Sequence, residues 1–141
     1  MSDFGQALIG GWRFERTVTD GNAMSGTARF EPESDGTLRY REEGLLTLRD
    51  RSGPPLHFSR GYFYRFAGAA LTILFDEPTP RLFEEIALSG DAANWQGTGF
   101  HPCGHDRYRS RYALDHDGFH TVHHVQGPRK SYSIETRYTR L

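Results

Sequence analysis

The C-terminal stretch, residues 119–140, constrains the fold of this chain more than any other segment. Two runs of alternating polar and apolar or aromatic residues flank a Gly-Pro-Arg-Lys turn. A period of two is typical of a half-buried strand. Within the turn, Pro128 presets φ and Gly127 permits a positive φ. The stretch therefore predicts a β-hairpin whose two strands each keep one set of side chains on a single face: Phe119, Thr121, His123 and Val125, then Tyr132, Ile134, Thr136 and Tyr138.

The same alternation recurs upstream, broken by turn sequences such as those at residues 20–22, 34–36 and 115–118. A short helical turn is expected at residues 3–8. About ten short strands joined by tight turns would form an antiparallel meander, which loses its exposed edges by closing on itself. The sequence therefore predicts an all-β fold, a closed antiparallel meander β-barrel, with a β-sandwich as the competing geometry.

Apolar residues indicate the inward faces of the individual strands. Gly44 interrupts the third run and predicts a β-bulge. In the first and sixth runs, the residues expected to share a face are Trp12, Phe14 and Val18, and Leu82, Ile86 and Leu88.

Composition indicates one domain over residues 1–141 and excludes several functional classes. Seventeen basic residues against eighteen acidic ones leave a net charge of −1, so nothing attracts the whole chain to nucleic acid or to an anionic membrane. No apolar run approaches the length of a membrane span, and the N-terminus lacks the pattern of a signal peptide. The single cysteine excludes an internal disulfide and fits a reducing compartment. We expect a cytoplasmic protein without nucleic-acid or membrane partners, and a homodimer is left open.

The final hairpin and the strand before it supply the candidate binding residues. Arg129 and Lys130 stand together on a rigid turn, where they could hold a carboxylate or phosphate, although a solvated turn is the alternative. Tyr108 and Tyr132 could line a cavity with hydroxyl groups or merely pack at a barrel end. With His123 facing inward, the sequence predicts a protein that binds a small apolar or amphipathic molecule carrying an acidic group. Its expected walls are Phe58, Phe63 and Phe75.

A second hypothesis is an enzyme in which His101, Asp106 and Tyr108 converge to perform acid–base chemistry on a carbonyl or small acid. The spacing of His101, Cys103 and His105 would also suit zinc, with Asp106 as a further ligand. One cysteine is few for a structural zinc site, and Pro102 with Gly104 favours a turn. No metal site is therefore predicted.

The opening of the first strand resembles that of lipocalins and the wider calycin group. Gly10-Gly11-Trp12 forms a G-x-W motif, and Arg140, or alternatively Arg137, lies on the last strand. In calycins the tryptophan closes one end of the barrel and a late arginine packs across its ring, a cation–π contact. The resemblance implies that Trp12 and Arg140 close this barrel. Ten strands without a following helix are closer to the fatty-acid-binding-protein and nitrobindin branch. In nitrobindins a histidine on a late strand binds haem, which implies His123 or His124 as a third hypothesis, with no cofactor as the main expectation.

Three C-terminal motifs resemble a mainly bacterial family of unknown function. They are H-x-C-x-x-D-x-Y at residues 101–108, V-x-G-P-R-K-x-Y at 125–132 and Y-x-R at 138–140. The resemblance spans nearly the whole chain. It implies a small calycin-like barrel and assigns no activity.

Overall fold

One short helix and ten strands make up the structure, a computed structural model that describes residues 3–50, 52–91 and 94–141. Each strand alternates side chains between the barrel interior and the outer surface, as the period-two patterns predict. The elements are α1 (Asp3–Leu8), β1 (Gly10–Val18), β2 (Ala23–Pro32), β3 (Leu38–Thr47), β4 (Leu56–Ala67), β5 (Ala70–Phe75), β6 (Leu82–Asp91), β7 (Asn94–Cys103), β8 (Asp106–Asp115), β9 (Gly118–Gln126) and β10 (Ser131–Arg140).

The strands form a closed antiparallel barrel in which every strand pairs with its neighbours in sequence, and β1 also pairs with β10. The closing register joins Trp12 to Arg140 and Val18 to Ile134. Because the sheet closes, it presents no exposed edge. The predicted closed meander with a short N-terminal helix is confirmed, and the alternative sandwich is wrong.

Helix α1 covers the end of the barrel at which β1 begins, which we call the closed end. Phe4 and Leu8 of α1 are fully buried. The Trp12 indole N–H donates to the Leu8 carbonyl at 2.9 Å. Above the indole, the Arg140 guanidinium lies 3.9 Å from the ring centroid and donates to the carbonyls of Ala7 and Ile9. The last strand thus ties the helix to the barrel.

The opposite end, which we call the open end, carries the β1–β2, β3–β4, β5–β6, β7–β8 and β9–β10 connections. No helix covers it among the described residues, because α1 lies at the closed end. No helix in the described part of the chain is long and apolar enough to cross a membrane.

Two local predictions are wrong. Gly44 does not mark a bulge, since β2 and β3 pair in continuous register. It lies opposite Gly26 because the strands pass too closely for side chains: a Cβ on Gly44 would overlap the Ser25 carbonyl oxygen. The second wrong prediction is that Leu82 shares a face with Ile86. The reason is a register shift between β5 and β6. Ile73 of β5 pairs with Glu84 of β6, whereas the next residue of β5, Leu74, pairs with Leu82.

That register shift makes Phe83 the extra residue of β6, without a partner in β5. Phe83 therefore turns inward while Leu82 is 48% exposed. Bulges of this kind re-aim a side chain at a barrel rim.

Candidate functional site

A cavity of about 330 Å³ lies inside the barrel, in the half that faces the open end. Its walls combine aromatic rings and aliphatic side chains with a few charged and hydroxyl groups. This combination is typical of small-molecule sites. The lining residues include Tyr62, Ile73, Phe75, Phe83, Val125 and Ile134.

A buried ion pair forms one wall of the cavity. Arg16 on β1 and Glu42 on β3 make two parallel hydrogen bonds, of 2.7 and 2.8 Å, and Arg16 Nε donates to Thr136 Oγ1 at 2.8 Å. The pair reaches across β2, where Met24 lies opposite Arg16 and Ala28 lies opposite Glu42, with Gly26 between them. Because Gly26 and Ala28 are small, the two long side chains can meet across β2.

Two tyrosine hydroxyls extend this ion pair. Tyr40 donates to Glu42 Oε1 at 2.5 Å, and its oxygen lies 2.9 Å from the hydroxyl of Tyr138. Burial raises the pKa of Tyr40, and it raises the pKa of Tyr138 to about 12. Burial lowers the pKa of Arg16, but the hydrogen bond to Glu42 and nearby negative charge outweigh burial, so this pKa is raised overall. Arg16 therefore stays charged and the phenols stay protonated at neutral pH.

A second buried carboxylate, Glu84 on β6, lies behind the opposite wall, where it holds the lining residues Tyr112 and His123. Four strands separate β1 from β6 in either direction around the barrel (β2–β5 and β7–β10). Ser110 donates to Glu84 Oε2 at 2.6 Å, and Tyr112 donates to Glu84 Oε1. The side chain of His123 on β9 brings Nε2 to 2.9 Å from the same Oε1. Three groups from two neighbouring strands therefore hold one carboxylate.

This second network also crosses a strand of small residues. Gly97 and Gly99 are inward residues of β7, between β6 and β8. A Cβ on Gly99 would lie 2.7 Å from Ile86 Cδ1 and 2.9 Å from Ser110 Oγ. Glycine is therefore needed for Glu84 of β6 to reach Ser110 of β8 across β7.

The neighbours of Glu84 keep it ionised. Burial raises the pKa of this carboxyl, but three effects outweigh burial and lower the pKa overall. They are the hydrogen bond from His123, the positive charge that this imidazole carries when protonated, and the bonds from Ser110 and Tyr112. Burial is the main cause that raises the pKa of Tyr112. The imidazole of His123 packs between the rings of Phe83, at 5.9 Å, and Tyr112, at 5.7 Å. The ring is thus fixed on both sides.

The G-P-R-K turn lies at the open end beside the β7–β8 connection. Lys130 Nζ is 3.1 Å from Asp106 Oδ2, and this contact raises the Lys130 pKa. Gly127 does not have the expected positive φ. It is needed for another reason: a Cβ there would overlap Asp106 Oδ1. Arg129 is exposed in the turn.

Comparison with known families settles the family of this chain. The sequence model of a family of unknown function, DUF6314, matches residues 8–140. The chain belongs to this family. The resemblance noted from the C-terminal motifs is confirmed, since the match includes all three of them. No curated protein matches the chain.

The chain is also similar to several solved structures, among them redesigned and de novo designed β-barrels. They include a redesigned barrel, b11L5F_LGL (17% identity, 100% of this chain and 97% of that chain, TM-score 0.49), and EF1p2_mFAP2b bound to DFHBI (15% identity, 96% and 95%, TM-score 0.47). A third is a fluorescence-activating β-barrel designed de novo (13% identity, 100% of both chains, TM-score 0.44).

The structure brings some predicted site residues together and separates others. Tyr108, Tyr132 and His123 all line the cavity, as does one of the three expected walls, Phe75. Phe58 packs on Phe14 in the interior, whereas Phe63 pairs with Arg39 on the outward face of β4. The place expected for Phe63 in the cavity wall is taken by Phe83.

The group proposed for acid–base chemistry is not joined by hydrogen bonds among the described residues. Asp106 is paired with Lys130, and the rings of His101 and Tyr108 lie 6.1 Å apart. His101, Cys103 and His105 are all exposed. Among the described residues, the only group of three or more potential metal ligands close enough to share an ion is Asp115, His116 and Asp117, in an exposed turn at the closed end.

The two histidines of the haem hypothesis, His123 and His124, lie on opposite faces of β9. The Nε2 atom of His123 is held by Glu84, and the imidazole is packed between two aromatic rings. His124 is exposed on the outside of the barrel, with Nδ1 2.6 Å from Ser133 Oγ. We derive no role for haem.

The charged groups in and behind the cavity walls, Arg16 and Glu84, were missed in the sequence, although the signal was present. Arg16 is in phase with Trp12 and Phe14, and Glu84 is in phase with Ile86. Extending the period-two pattern through charged residues would have placed both inside the barrel. Small residues on the strand between two such positions are the second signal.

Proposed function

We propose that this barrel binds one small amphipathic molecule in its interior cavity, with the apolar part among the rings and an acidic group toward the open end. The observation that supports this most strongly is the cavity itself, lined by two buried ionic networks on opposite walls. Protein interiors are normally close-packed, with few voids larger than a water molecule. A 330 Å³ space falls within the range of small-ligand sites.

The buried charges support a binding role because they contribute little to stability. Removing two ions from water costs about as much as their mutual attraction returns, and apolar residues often serve as well. Arg16 and Glu84 are both almost fully buried, and Arg16 lines the cavity while Glu84 holds the cavity residues Tyr112 and His123. These polar groups would orient a ligand whose main contacts are apolar.

Arg60 on β4 is the cation best placed for an acidic group. It lines the cavity, and its guanidinium lies 5.7 Å from the centroid of the Phe58 ring. Arg60 has no ion-pair partner among the described residues, whereas Arg16 is paired with Glu42 and Lys130 with Asp106. We therefore assign the acidic group to Arg60 first, with Arg129 and Lys130 as further contacts at the open end.

Isothermal titration calorimetry with two matched probes tests this assignment. The probes are 2-naphthoate, which has an apolar body and a carboxylate, and 2-acetylnaphthalene, its neutral analogue. In Arg60→Gln we expect the affinity for 2-naphthoate to fall about tenfold, as for loss of a charge-assisted hydrogen bond. The affinity for 2-acetylnaphthalene should not change. Arg65→Gln, on the outer face of the same strand, is the matched control and should bind both probes as the unchanged protein does.

Equal loss of affinity for both probes in Arg60→Gln would contradict the role of Arg60 in charge recognition. Val125→Trp tests the cavity, since the larger ring would fill it. Unchanged binding of both probes by that variant would contradict the interior site. The cytoplasmic location and the absence of nucleic-acid or membrane partners remain predictions.

A further inference from the structure

We propose that His123 acts as a general base on the bound molecule, and that this molecule is a small carbonyl compound with an acidic C–H. The proposal rests on the proposed binding function, because the substrate would occupy the same cavity. It goes beyond binding, since it assigns a reaction. The observation behind it is a histidine oriented by a buried carboxylate at the wall of an apolar cavity.

The contacts of His123 determine which nitrogen carries the proton. An ionised carboxylate can only accept hydrogen bonds, so Nε2 donates its proton to Glu84. In the neutral ring Nδ1 then carries the lone pair. Nδ1 has no hydrogen-bond partner among the described residues, and the His123 side chain is 23% exposed and lines the cavity. Nδ1 is therefore the atom able to accept a proton.

Glu84 acts through His123 and is a positioning residue. It fixes the tautomer and places a negative charge 2.9 Å from the ring, which stabilises the imidazolium that forms when Nδ1 accepts a proton. Ser110 and Tyr112 hold the carboxylate, and the rings of Phe83 and Tyr112 hold the imidazole. A base oriented by a third group is the arrangement expected of general-base sites.

The cavity also offers a hydrogen-bond donor for a carbonyl oxygen. Tyr132 lines the cavity, and its hydroxyl makes no hydrogen bond with another described residue. In the proposed step, the C–H bond next to the carbonyl breaks and its proton moves to Nδ1. The electron pair forms a C=C bond as the carbonyl becomes an enolate, whose oxygen accepts from Tyr132. Return of the proton to carbon gives an isomerised or exchanged product, without any oxidant or cofactor.

The Kemp elimination of 5-nitrobenzisoxazole tests the base independently of the natural substrate. A base removes the C3 proton, the electron pair forms the nitrile, and the N–O bond breaks to release a coloured phenolate. We expect kcat/KM to be on the order of 10²-fold higher for the unchanged protein than for His123→Ala. His124→Ala, on the outer face of the same strand, should keep the full rate.

Two further variants separate chemistry from folding. His123→Gln keeps a polar side chain of similar size and should be as inactive as His123→Ala, with an unchanged near-UV circular dichroism spectrum. Added imidazole should raise the rate of His123→Ala more than that of His124→Ala. In Glu84→Gln, kcat should fall about tenfold with KM unchanged, because the charge that stabilises the imidazolium is lost.

The outcomes distinguish failure of the base from failure of the binding site. If the protein binds 2-naphthoate but His123→Ala and His123→Gln keep the full Kemp rate, the base assignment is overturned and the binding function stands. If 2-naphthoate does not bind, the proposed function fails first. A lowered rate in His123→Ala that imidazole restores supports the base.

Discussion

Replacing Arg16 by methionine is expected to lower the free energy of unfolding by about 3–5 kcal/mol, because Glu42 is left buried without its counter-ion. The loss follows from desolvation and not from the missing attraction alone. Glu42 accepts both parallel bonds from Arg16 in a wall that is nearly closed to water. Urea denaturation followed by circular dichroism measures the change.

The double variant Arg16→Met/Glu42→Leu should recover most of that loss, since replacing both partners with apolar residues removes the buried charge. Arg81→Met is the surface control: Arg81 pairs with Glu77 on the exposed β5–β6 connection, and its loss should change stability little. A double variant as unstable as Arg16→Met alone would contradict the desolvation argument.

Replacing Trp12 by alanine should also cost about 3–5 kcal/mol, as expected for the loss of a buried aromatic residue. The indole contacts α1 through its bond to Leu8, and it contacts the last strand through Arg140. Removing it therefore loosens the closure of the barrel as well as leaving a void. Urea denaturation measures the loss of stability.

Trp95→Phe provides the control for this substitution. Trp95 packs on Phe4 at the same end of the barrel, but its buried indole N–H has no hydrogen-bond partner among the described residues. Replacing it with phenylalanine removes an unsatisfied donor and should change stability far less. If Trp95→Phe lost as much stability as Trp12→Ala, the closed end would tolerate no change in packing. The specific contacts of the Trp12 indole would then not explain the loss in Trp12→Ala.

The architecture could be predicted from the sequence because strands and turns leave local signals. The period of two at residues 119–126 and 131–140 placed His123 inside, and the turn sequences indicated the meander. Closure followed from the need to remove sheet edges. The bulge at Phe83 could not be predicted, because a register shift depends on how β5 and β6 pair and not on either sequence alone.

The candidate site was predicted only in part, because charged residues usually lie in water and a charged residue in an inward phase is easily assigned outward. Arg16 and Glu84 were missed for this reason. Contacts between residues far apart in the sequence also could not be predicted, because nothing near Lys130 in the sequence indicates that Asp106 neutralises it. Gly97 and Gly99 do indicate one such contact, because glycines in β7 let side chains on β6 and β8 meet across it.

Binding of a small molecule inside the barrel is tested most directly by intermolecular nuclear Overhauser effects. Protein with ¹³C-labelled methyl groups is titrated with 2-naphthoate. We expect saturable contacts to the methyl groups of Ile73, Val125 and Ile134, which line the cavity, and none to Leu45 on the outer surface. Contacts confined to Leu45 and other surface methyl groups, with none to the three cavity residues, would contradict it.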